Sequence, residues 1–307
     1  MVHPDGGMQQ NGGARTRLKE IRAVTYCVPD LQAIEHAYTR DLGYAVAARS
    51  RIALSEARSW RAPAMQGCAA LILSPRSGET VYLRFIEDPA AAGWRALQTL
   101  GWNVTEFVVQ DVEALARRLE RSAFEIIGAP KPLTRFPMIR AMQAIGPAGE
   151  ACYFTQVGAG SGLDLAQART FVGRVFIVVA AARHFEEAVA PYRAFENQVD
   201  APVATPVTVI SRAYGLPPGT LHRHGLVRLG EGTLIELDEY PPSARARARG
   251  EGRLPPGMAV VSFAVDSLGE HAFVGPPGNS GLPGAGLVAS LQGGAGELIE
   301  LHAPHGG

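Results

Sequence analysis

His222 and His224, in the run TLHRHGLVRL, are one residue apart. Alternate residues of a strand project from the same face, so on a strand both rings share one side. Glu236 falls on the following strand, and a His-x-His pair facing a carboxylate suits a transition metal or acid–base chemistry. The alternative is two half-exposed histidines decorating a strand. A second polar group, Ser211, Arg212 and Tyr214, stands between an apolar strand and the turn GLPPG. Arg212 could hold an anionic group. Tyr214 could stack on an aromatic ring or donate a proton, and ordinary loop decoration is the competing reading. Other chemistries lack their motifs. There is no GxGxxG after a strand, no GxxxxGK followed by Ser or Thr, no GxSxG and no HExxH, so no nucleotide cofactor is expected.

These side chains need a scaffold, and composition bounds it. The chain has 307 residues, 47% of them apolar, which is enough for a sizeable core and two domains. Lys plus Arg balances Asp plus Glu at 29 each, which removes the electrostatic case for nucleic acid or an anionic membrane as partner. No apolar run approaches the roughly 18 residues of a membrane helix. Cys27, Cys68 and Cys152 are odd in number and far apart, which argues against a disulfide framework and for a cytoplasmic location. Residues 1–17 have no hydrophobic segment and read as a disordered tail.

The scaffold is repetitive. Four apolar, β-branched runs open similar segments: IRAVTYCVPD (21–30), WNVTEFVVQD (102–111), FVGRVFIVVA (171–180) and MAVVSFAVDS (258–267). Helical spacing follows the first three, through Leu31, Ile34, Ala37 and Tyr38, through Val112, Leu115 and Leu119, and through Phe185, Ala188 and Tyr192, with Pro191 set to kink or divide the last. Each segment closes on a strand introduced by a glycine turn, as in GTLIELDEYP and GELIELHAP. The pattern is α+β: four βαβββ modules, the fourth shortened. Residues 158–169 read as a linker, so the expected domains are 18–157 and 170–305, each made of two consecutive modules. The connector PPSARARARGEGRLPPG (241–257) carries Arg245, Arg247, Arg249 and Arg253, which could bind an anion or merely keep a connector solvated.

The run IRAVTYCVPDLQAIEHAYTRDLGY and the two closing strands GTLIEL and GELIEL resemble the vicinal oxygen chelate superfamily of glyoxalases, extradiol dioxygenases, drug-resistance proteins and epimerases. The resemblance covers nearly all of residues 18–304 and implies modules paired into two open mixed-sheet barrels. It also implies a divalent metal, held by groups on opening and closing strands and chelated by a small oxygenated substrate. Carried over residue by residue, the closing-strand carboxylates survive as Glu236 and Glu300, while Arg84 and Thr155 stand at the other two such positions. The opening-strand positions hold Ala23, Val104, Arg174 and Val260, none of them a usual ligand.

The expected site lies in the C-terminal barrel, where Glu236 or Glu300 is the base, His224 the acid, Arg174 and Arg212 orient an anionic group, and Tyr214 and His222 help bind the substrate. An internal Arg–Glu ion pair in place of a lost metal is the alternative. Should a metal bind, the candidate ligands are His222, His224, Glu236 and Glu300. Glu106 needs a partner, and Arg84 is the expected one. The expected activity is proton transfer, isomerisation or elimination, on an aromatic or keto-acid-like substrate. A metal-dependent dioxygenase and a non-catalytic small-molecule binder are the alternatives. Unpaired strand edges lead us to expect a homodimer.

Overall fold

The computed structural model describes residues 16–284 and 286–305, so the expected tail lies outside the described residues apart from Thr16 and Arg17. The first module runs β1 (Ile21–Val28), α1 (Leu31–Ala37), β2 (Ala45–Arg51), α2 (Leu54–Ser59), β3 (Ala69–Ser74) and β4 (Tyr82–Glu87). The second runs β5 (Gly101–Val109), α3 (Val112–Leu119), β6 (Glu125–Pro132), β7 (Ile139–Ile145) and β8 (Ala151–Val157). The third repeats the first, with β9 (Val172–Ala182), α4 (Phe185–Ala194), β10 (Val203–Pro206), α5 (Thr208–Ala213), β11 (Leu221–Arg228) and β12 (Leu234–Glu239). The fourth has only strands: β13 (Gly257–Ala264), β14 (Gly278–Asn279), β15 (Leu287–Gln292) and β16 (Leu298–Ala303).

Local chemistry explains the element ends. The Asp30 carboxylate accepts from the backbone N–H of Gln32 and Ala33, which caps α1, and the chain leaves that helical segment at Gly43 with φ of 78°. Asp111 caps α3 in the same way through Ala114. Helix α4 continues through Pro191 rather than dividing there.

Two eight-stranded curled sheets result, in the orders β14-β15-β16-β13-β1-β4-β3-β2 and β10-β11-β12-β9-β5-β8-β7-β6. Opening strands meet antiparallel at the centre of each, β1 beside β13 and β5 beside β9. The first sheet therefore joins modules one and four, and the second joins modules two and three. This corrects the expectation that modules pair within 18–157 and within 170–305. All four opening strands are almost wholly buried and patterned alike, so their sequences do not say which of them become neighbours. The strand-free stretch 158–169 lets β9 lie back along β5, which leaves the first and fourth modules for each other.

The sheets pack through a core that includes Tyr26, Phe85, Phe107 and Phe154. Two buried glutamates tie helices to turns of the next module. The Tyr38 hydroxyl donates to Glu150 at 3.0 Å, and the Tyr192 hydroxyl donates to Glu297 at 2.7 Å. No helix among the described residues is long and apolar enough to cross a membrane.

Candidate functional site

Each sheet curls around a hollow, and the two hollows hold different chemistry. In the first, Thr25 on β1, Arg84 on β4, Ser262 on β13 and Glu300 on β16 face inward, all buried. Arg84 donates to Glu56 of α2 at 2.5 Å and to the Thr25 hydroxyl at 3.0 Å, and lies 3.6 Å from Glu300. Glu300 also accepts from the Ser262 hydroxyl and from the Trp60 indole, each at 2.5 Å. The Arg84 guanidinium lies 4.8 Å from the Trp60 ring centre, and the backbone N–H of Gly281 adds a bond to Glu56. Arg84 thus lies between two carboxylates and gives both Glu56 and Glu300 a cationic partner.

Among the described residues, the second hollow has no arginine or lysine paired with its carboxyls. Glu106 on β5, Tyr153 and Thr155 on β8, and Glu236 and Asp238 on β12 face inward, with His222 and His224 on the neighbouring β11. Glu236, Asp238 and Tyr240 follow one another at alternate positions, which puts them on one face. One ligand atom each from His224, Glu236 and Asp238 lie within 4.8 Å of one another. His224 Nδ1 is 3.5 Å from Glu236 Oε1, and its Nε2 is 3.0 Å from the Thr205 hydroxyl. Burial, and then the charge of Glu236, hold the Asp238 carboxyl well above its usual range. Burial pushes Glu106 up to about 7 against a hydrogen bond donated by Thr155, and Glu236 adds to the rise. No arginine or lysine is among the groups acting on either carboxyl.

The same hollow collects buried polar atoms without partners: His224 Nδ1, Asp238 Oδ1 and the hydroxyls of Tyr214 and Tyr240. Tyr214 and Tyr240 meet edge to face with ring centres 5.8 Å apart. Leaving such groups unbonded costs about 1–3 kcal/mol each; Arg84 Nη2, Ser290 Oγ and His302 Nε2 are likewise without partners on the first sheet.

Several expectations change. Glu300 lies in the first hollow and Glu236 in the second, because their modules belong to different sheets, so the two glutamates do not form one site. Arg174 is in neither hollow. It falls within a stretch of β9 whose register against β5 is irregular, and its guanidinium sits 3.3 Å from Glu79 and donates to the Glu231 carbonyl. Arg84 does not reach Glu106; it serves Glu56 and Glu300, and Glu106 takes Thr155 instead. Arg212 is exposed and donates to the Ile127 carbonyl at 2.7 Å, fastening α5 to the edge strand β6. His222 is buried with Nε2 2.9 Å from the Ser211 hydroxyl, which holds α5 from below. His224 and Glu236 meet at 3.5 Å, and Tyr214 lies against Tyr240. Asp238 and Tyr240 were legible in LIELDEY as further residues on the face of Glu236, whereas Glu106 required knowledge of which modules pair.

Neither a protein-family model nor a curated protein sequence matches the chain. Solved structures do. Glyoxalase I from Zea mays superposes with a TM-score of 0.61 at 15% identity, over 94% of this chain and 92% of that one. A putative dioxygenase from Bacillus subtilis superposes with a TM-score of 0.61 at 12% identity, over 95% of this chain and 87% of that one. The chain thus has the fold of the vicinal oxygen chelate superfamily. It takes the four-module form, with two barrels in one chain.

Proposed function

We propose that the second barrel is the active site of an enzyme that transfers a proton on a small oxygenated substrate, with a divalent cation held by His224, Glu236 and Asp238. The reading rests on one observation: among the described residues, the inward carboxyls Glu106, Glu236 and Asp238 have no arginine or lysine partner, in a hollow whose counterpart holds the guanidinium of Arg84. An imidazole nitrogen and two carboxylate oxygens form a reasonable donor set for a first-row divalent ion, and the orphaned His224 Nδ1 and Asp238 Oδ1 are the atoms such an ion would satisfy. The set departs from the ligand positions implied by the resemblance, since all three residues come from β11 and β12.

When bound, the cation supplies Lewis-acid polarisation of a substrate oxygen. The remaining steps belong to the chain. Glu106, raised to about 7, is poised to accept a proton near neutral pH, and Thr155 holds it in place. The Tyr214 and Tyr240 hydroxyls donate to substrate oxygens as negative charge develops there. Thr205, bonded to His224 Nε2, orients that imidazole so that Nδ1 faces the carboxyls. Helix α5 is fastened by Arg212 and by Ser211 with His222, and it leads into Tyr214.

Arg174 and Arg212 are engaged elsewhere, so the substrate end entering this hollow is uncharged, a carbonyl or hydroxyl rather than a carboxylate. The test is elemental analysis of protein purified without chelator, compared with Glu236→Gln. A stoichiometric transition metal in the parent that is lost in the variant supports the reading. Full metal content in Glu236→Gln contradicts it.

A further inference from the structure

The arginine-rich connector between the third and fourth modules does not behave as one solvated run. Arg253 is paired with Asp88 at 2.8 Å. Arg247 instead reaches into the seam between the sheets. Its Nε donates to the Thr99 hydroxyl at 3.0 Å, Nη1 to the Met258 carbonyl at 2.6 Å, and Nη2 to the Trp102 carbonyl. Trp102 opens the second sheet and Met258 the first, so one guanidinium spans both. All three acceptors are uncharged. They orient the group without neutralising it, and two of its five N–H donors remain.

A cavity of about 260 Å³ opens beside it, lined among others by Arg247, Arg249, Gly101, Gln292 and Gly296. Among the described residues, no carboxylate makes an ion pair with Arg247 or Arg249. Glu297 also borders the cavity, but its carboxyl accepts from the Tyr192 hydroxyl at 2.7 Å and from the Ala295 N–H at 2.8 Å, and burial favours its neutral form. The Arg247 guanidinium stacks 5.1 Å from the Trp94 ring centre, and the buried Trp94 Nε1 has no acceptor. Burial lowers Arg247 to about 10, as expected for a cation without a counter-ion.

We propose that this seam cavity binds a small oxyanion, a carboxylate or phosphate group held by Arg247 and Arg249. A planar guanidinium with donors to spare matches either group, and the volume admits a small molecule rather than a chain segment. The anion would neutralise a charge placed where the two sheets meet, and so would tighten the seam.

The test uses the full chain, with calorimetric titration and melting temperature recorded in potassium phosphate and in sodium acetate, each against chloride of matched ionic strength. A saturable stabilisation by phosphate, by acetate or by both supports the site, and the pattern tells which group it prefers. Arg249→Gln removes an exposed side chain and leaves the seam intact, so it should fold and should weaken the anion about tenfold. Glu236→Gln should bind as the parent does, which separates this site from any ion in the second barrel. No saturable response beyond chloride, unchanged affinity in Arg249→Gln, or loss of the response in Glu236→Gln would overturn the proposal.

Discussion

Glu106 and Glu300 are both inward-facing glutamates on opening or closing strands, yet their surroundings assign them different work. Glu106 has a hydroxyl for a partner and a like charge nearby, so its proton is loosely poised near neutrality. Substituting Gln there should lower kcat by roughly 10²–10⁴, with KM little changed, as measured by steady-state kinetics once a substrate is in hand. Glu300 is locked by Arg84, Ser262 and Trp60. Arg84→Met would leave Glu56 and Glu300 buried without their cation, and urea denaturation should show a loss of about 3–5 kcal/mol. Turnover at a temperature where the variant is folded should persist. A stable Arg84→Met protein without activity would reverse the roles given to the two hollows.

At the scale of elements, the Tyr–Glu ties make a pH-dependent contribution. Burial raises Glu150 from 4.5 to about 7 despite hydrogen bonds from the Tyr38 hydroxyl and the Ala148 N–H. A carboxyl raised on folding binds its proton more tightly in the native state. Its contribution is intact below about pH 4.5 and is lost as the pH rises to and through about 7. Melting temperature should fall from pH 5 to pH 8, and less steeply in Glu150→Gln; identical slopes would remove Glu150 as the cause. The elements themselves were readable in the sequence. The four opening strands, the three helices and the glycine-turn closing strands all occur near their expected places, because apolar periodicity and Asp or Gly at helix ends are local signals. Helices α2 and α5 were not recognised, since six residues carry too little periodicity. Yet they decide the two hollows: α2 delivers Glu56 and leads into Trp60, whereas α5 delivers Ser211 and leads into Tyr214.

At the scale of the molecule, the unread information is the pairing of modules. Any opening strand can satisfy any other, so a period-2 pattern names no partner. Pairing one with four and two with three separates Glu236 from Glu300 and brings Glu106 to Glu236. It also produces an asymmetric pair of barrels, one closed around its own guanidinium and one lined by acids. The central claim is that only the acid-lined barrel takes a metal. Calorimetric titration of the metal-stripped chain with zinc or manganese tests it most directly. One ion per chain is expected, lost in Glu236→Gln and kept in folded Glu300→Gln. Two ions per chain, no binding, or one ion that survives Glu236→Gln would contradict it.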